Sequence, residues 1–87
     1  MKSFKDAKLK FPREWEFRII IAEAARIAAE EGIAKVFEGR AVAVSPGESS
    51  RTGAYGTIVV RLEVRSQNDL DELSEKLTEV PGVKFLL

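Results

Sequence analysis

The sequence predicts an α+β domain in which two helices pack on one face of a single four-stranded antiparallel sheet. Three observations carry this. Apolar and polar residues alternate through Trp15–Ile21 and again through Ile58–Val64, the period of a strand with one buried face. Residues 22–38 and 66–80 are rich in helix formers and place apolar side chains at helical spacing. Read along the chain, these segments and two shorter ones fall in the order β-α-β-β-α-β, which a two-layer sandwich satisfies because both helices are apolar on one side only.

The first ten residues, MKSFKDAKLK, hold four lysines against one aspartate and read as a flexible basic tail, with one domain over residues 11–87. Pro12 disfavours helix at Phe11 and suits the start of a strand. Trp15, Phe17, Ile19 and Ile21 then alternate with Glu16, Arg18 and Ile20. The next stretch, AEAARIAAEEGIAKVFEG, has two readings. Gly32 ends the helix, leaving IAKVF as a strand, or the helix runs on to Glu38 with Gly39 as its cap and Gly32 costing about 1 kcal/mol. The longer helix is preferred, because Ala25, Ala29, Ile33, Val36 and Phe37 then share a face.

RAVAVS (40–45) reads as a short second strand and GTIVVRLEV (56–64) as a long third one. Ser66 and Asp69 have N-cap and N3 spacing, a capping box with Asp in place of Glu. Leu70, Leu73, Leu77 and Val80 form the apolar stripe of the second helix, Pro81–Gly82 stops it, and VKFLL closes the chain as the last strand. The expected architecture is a ferredoxin-like sandwich of sheet order 4-1-3-2. Its expected core is Trp15, Phe17, Ile19, Ile58, Val60, Leu62, Leu70, Leu73, Leu77 and Phe85.

Composition removes several chemistries. The 87 residues include no cysteine and no histidine, which excludes disulfides, thiol and imidazole catalysis and the usual zinc ligands. Fourteen basic residues balance fourteen acidic ones, a poor basis for unspecific nucleic-acid binding. Apolar runs fall far short of the roughly 20 residues of a membrane span, and the lysine-bearing start has no apolar stretch behind it. The expected location is cytoplasmic. Scarce Asn, Gln and Met beside abundant Glu, Lys and Arg fit a thermophile or a designed sequence equally.

The stretch SPGESSRTGAYG (45–56) looks functional at first. It joins two strands and lacks the lysine and following helix of a phosphate loop. RTGAYGTIVV imitates the start of an RNA-binding strand, but Thr57 and Val59 stand where further aromatics would stack bases. A turn built on Pro46, Gly47, Gly53 and Gly56 is the main reading. A weaker one makes Ser49, Ser50, Arg51, Thr52 and Tyr55 an anion or ligand contact. Asp69, Asp71, Glu72 and Glu75 read as a solvated helix start favoured by the dipole rather than a metal or acid–base site. On the outer face of the sheet, Arg18, Ile20, Val59, Arg61 and Leu86 are the candidate partner surface, where mixed apolar and charged residues suit docking.

Taken in order, FP before an aromatic strand, SRTGAY with Ser50, Gly53 and Tyr55, the leucine-striped second helix and the ending VPGVKFLL make the chain resemble the YbeD-like family of small bacterial proteins, over Phe11–Leu87. The resemblance implies a βαββαβ fold similar to ACT regulatory domains, which bind small effectors in metabolic enzymes. It implies no catalytic residues. The expected function is therefore that of a non-enzymatic regulatory or adaptor domain without cofactor or metal. It would act through protein contact or small-effector binding, away from nucleic acid and membrane, as a monomer or a weak homodimer paired through VKFLL. The alternatives are a designed scaffold and an enzyme with an unrecognised carboxylate or arginine site.

Overall fold

A computed structural model describes residues 10–87; the basic tail expected over residues 1–10 falls, apart from Lys10, outside them. The elements are β1 (Arg13–Ala22), a short 3-10 turn (Glu23–Ala25), α1 (Arg26–Val36), β2 (Val42–Pro46), β3 (Tyr55–Val64), α2 (Gln67–Thr78) and β4 (Val83–Leu86). The sheet order is β2-β3-β1-β4, which is 4-1-3-2 counted from the other edge, and every pairing is antiparallel. This is the βαββαβ ferredoxin-like sandwich.

The register explains the core. β1 lies opposite β3 with Phe17 facing Val60 and Ile19 facing Ile58, so the buried residues of both long strands share one side of the sheet. Against them pack Ala29 and Ile33 of α1, Phe37 just beyond it, and Leu70, Leu73 and Leu77 of α2. The Phe17 and Phe37 rings meet at 5.9 Å in a tilted pair, within the range where aromatic pairs attract. Trp15 was expected in the core but is only half-buried, at its rim, with the Arg13 guanidinium 5.6 Å over its ring.

α1 does run through Gly32, as the longer reading expected, although it starts after the 3-10 turn and ends at Val36. Packing supplies the reason for a mid-helix glycine. A Cβ on Gly32 would stand 2.5 Å from Cγ1 of Val80, so α1 approaches the turn after α2 more closely than a side chain allows without a shift. Gly32→Ala should therefore destabilise by about 1 kcal/mol, although alanine is the better helix former by a similar amount. Urea unfolding of Gly32→Ala beside Gly32→Ala/Val80→Ala checks this. A stabilised single variant would show that the close approach is absent.

The last strand departs from expectation. Ile20 faces Phe85 but Ile21 faces Val83, so Lys84 is an extra residue in a β-bulge. The bulge breaks the alternation. Phe85, expected in the core, projects from the outer face and is 52% exposed, while Leu86, expected on that outer face, lies opposite Ile19 and packs against the core. β2 also sits later than RAVAVS suggests, and it ends in Pro46 at an edge where a missing N–H is tolerated.

Candidate functional site on the outer face of the sheet

The outer face divides into a polar end and an apolar end. At the polar end, Glu16 of β1 lies opposite Arg61 of β3. The Glu16 carboxylate accepts from Arg61 Nε at 2.8 Å and from Arg18 Nε at 3.1 Å. These two hydrogen bonds, the Arg61 one first, hold the Glu16 pKa below the usual carboxylate range. One carboxylate thus answers two guanidinium groups, while Glu14 and Glu63, opposite each other at the same end, add two further carboxylates.

At the apolar end, Ile20 faces Thr57 on one side and Phe85 on the other, with Val59 and Tyr55 further along β3. Phe85 and Tyr55 are large exposed side chains. Ile20, Tyr55, Thr57 and Phe85, together with Glu48, Ser49 and Ser50 of the loop between β2 and β3, border a shallow depression of about 490 Å³. The structure thus places Arg18, Ile20, Val59 and Arg61 on the expected face, and only Leu86 is removed from that set. Phe85, which takes its place, was hidden from sequence reasoning by the bulge.

The loop is a closed turn. Gly47 N–H donates to the Thr57 carbonyl at 2.8 Å and Ser50 N–H to the Tyr55 carbonyl at 2.9 Å, continuing the hairpin. Ser50 Oγ accepts from Tyr55 N–H at 3.0 Å and Thr52 Oγ1 from Ala54 N–H at 3.3 Å. Gly53 turns the chain at φ 75°, where other residues are strained. The hydroxyls of Ser50 and Thr52 are therefore engaged in holding the turn. Ser49, Ser50 and Tyr55 reach the depression; Arg51 and Thr52 stand on the exposed tip and do not line it.

A second polar cluster was not foreseen. Arg40, between α1 and β2, forms a bidentate pair with Asp69, Nη1–Oδ1 2.7 Å and Nη2–Oδ2 2.8 Å, and also donates to the Glu63 carbonyl at 3.0 Å. Asp69 accepts from Arg65 N–H at 2.9 Å, while Ser66 Oγ caps α2 by accepting from Asp69 N–H at 3.0 Å. Hydrogen bonding from Arg40 lowers the Asp69 pKa to about 2. The cluster ties the approach to β2, the end of β3 and the start of α2, and its groups are used by one another. The neighbouring acids also have partners on α2, Gln67 donating to Asp71 and Asn68 to Glu72. Among the described residues no group of His, Cys, Asp and Glu is arranged to hold a metal ion, and no helix is long and apolar enough to cross a membrane.

With this architecture in view, the class is clear: an α+β sandwich of the ferredoxin-like, ACT-like type. The family model described as protein of unknown function (DUF493) matches residues 6–87, so the chain belongs to the DUF493 family. No curated protein sequence matches it. Among solved structures it is similar to protein HP0495 from Helicobacter pylori, with TM-score 0.74 at 18% identity over 100% of this chain and 97% of that one. It is also similar to the C-terminal domain of the MgtC protein from Mycobacterium tuberculosis, with TM-score 0.67 at 15% identity over 92% and 88%. The ACT domain from GTP pyrophosphokinase of Chlorobium tepidum gives TM-score 0.62 at 17% identity over 85% and 94%. At such identities the likeness is one of fold.

Proposed function

We propose that this chain is a bacterial, cytoplasmic, YbeD-like member of its family, and that it works by binding rather than catalysis, as a small regulatory or adaptor domain. The single observation that supports this most is the apolar end of the outer face. Phe85 and Tyr55 are held in water beside Ile20, Thr57 and Val59 on a rigid sheet, where a bulge turns outward a ring that regular alternation would bury. Apolar aromatic groups set on rigid elements and rimmed by charge have the character of a protein-contact surface. The fold likeness adds support, because two of the similar structures are modules of larger proteins: the C-terminal domain of MgtC and the ACT domain of a GTP pyrophosphokinase.

The test is affinity capture from a bacterial lysate with the wild type and with Phe85→Lys, compared by mass spectrometry. Phe85 is more than half exposed, so the substitution should leave folding intact. A partner that uses this face should be recovered about tenfold less by the variant. Equal recovery of every protein by both baits would remove the outer face from the binding role. For the small-effector form, the dialysable lysate fraction should shift the amide resonances of Thr57 and Val59.

A further inference from the structure

The two edges of the sheet are guarded very differently. β4 is short, carries Lys84 and is bent by the bulge, all devices that discourage strand addition. β2 is only one residue longer and ends in a proline, but along Val42–Val44 it carries neither a charged residue nor a bulge. Val44 belongs to the core-facing row of β2, opposite Val60, yet it is 60% exposed. Beside it, between β2 and α1, runs an apolar cleft of about 330 Å³ lined by Ile33, Ala34, Phe37, Val42 and Ile58.

The hydrogen-bond phase tells which backbone groups this edge offers. Gly47 N–H donates to the Thr57 carbonyl, and the same register pairs Ser45 with Val59 and Ala43 with Arg61. In an antiparallel ladder bonded and non-bonded pairs alternate. Ala43, Ser45 and Gly47 therefore bond inward to β3, and Val42, Val44 and Pro46 direct their backbone groups away from it. Among the described residues no backbone hydrogen bond engages those outward groups.

The geometry points to a second copy of this chain as the occupant of the β2 edge, the two β2 strands pairing antiparallel about a twofold axis at Val44. In that register each Val44 N–H donates to the Val44 carbonyl of the other copy. Each Val42 N–H donates to the opposite Pro46 carbonyl, so the donor that proline lacks costs only one bond per strand. The same register sets the exposed Val44 side chains against each other and brings Pro46 of one copy toward the Val42 and Phe37 end of the other's cleft. A self-complementary strand is what an isologous contact requires. Glu30, which also borders the cleft, is bonded to Arg26 at 3.2 Å, so its charge is partly answered within its own chain. The pairing replaces the VKFLL edge as the expected site of self-association and is independent of the outer face.

Sedimentation over a wide concentration range, with amide hydrogen exchange on the wild type, tests the pairing. A dimer should form as concentration rises, and the Val42 and Val44 amides should gain protection with it. Val44→Pro removes an outward N–H that β3 does not use, and Val44→Lys places charge on the seam; each should weaken the dimer about tenfold or more. Phe85→Lys should leave it unchanged. A monomer at every concentration would overturn the proposal, as would a dimer that keeps its strength in both Val44 variants. Protection of Val42 and Val44 that does not depend on concentration would also overturn it, by showing that the chain covers its own edge.

Discussion

Leu77→Ala is expected to destabilise the domain by about 2–5 kcal/mol, and Leu73→Ala by a similar amount. Both leucines lie on the buried face of α2, Leu77 with none of its surface in water and Leu73 with 3%. They share one core with Phe17, Ile19, Val60 and Ile33, contributed by the strands and by α1. Truncation there removes apolar contact and leaves a cavity that a two-layer sandwich can close only by moving a helix toward the sheet. In a domain of this size each kcal/mol lowers Tm by about 4–8 °C, so thermal unfolding reads the effect easily. Ile27→Ala is the control, since Ile27 is 75% exposed and should change stability by less than about 0.5 kcal/mol. A comparably small loss at both Leu73 and Leu77 would contradict the core.

The fold was legible wherever an element is long enough to repeat its period. β1 and β3 each run for 10 residues, and their alternation placed Arg18, Ile20, Val59 and Arg61 on the outer face correctly. VKFLL is too short and too uniformly apolar to reveal its phase, and the extra residue at Lys84 reverses which side Phe85 and Leu86 take. That single irregularity decides the chemistry of the candidate surface. Gly32 was ambiguous for another reason. Its role lies in a contact with Val80, 48 residues away, which no local propensity reports. The loop was readable as a turn from its glycines and proline, but not the use of the Ser50 hydroxyl to hold Tyr55, since a serine reads alike whether it binds backbone or ligand.

The Arg40–Asp69 pair shows the same limit and yields a pH prediction. Ser66 and Asp69 announce the start of α2 through their spacing, but the partner of Asp69 is 29 residues earlier and nothing in the sequence marks it. In the fold Asp69 has a pKa of about 2, lowered first by hydrogen bonds from Arg40 and then by Arg65 N–H, against the opposing effect of burial. In the unfolded chain it titrates near the ordinary value of about 3.9. Because the folded value is the lower one, the contribution is present above about pH 4 and disappears as the pH falls toward 2. A shift of this size corresponds to roughly 2–3 kcal/mol, and contact with water at the 17% exposed side chain reduces it to about 1–2 kcal/mol. Glu16 and Glu23, also lowered by arginine partners, lose stabilisation in acid as well, so the whole protein's acid unfolding does not isolate Asp69. The difference between wild type and Asp69→Asn does. Urea midpoints should place the variant about 1–2 kcal/mol below wild type at pH 6, and the two should converge by about pH 2. A gap that stays constant across that range would mean that Asp69 acts through shape and capping alone, and that its charge is not what clasps α2 to the sheet.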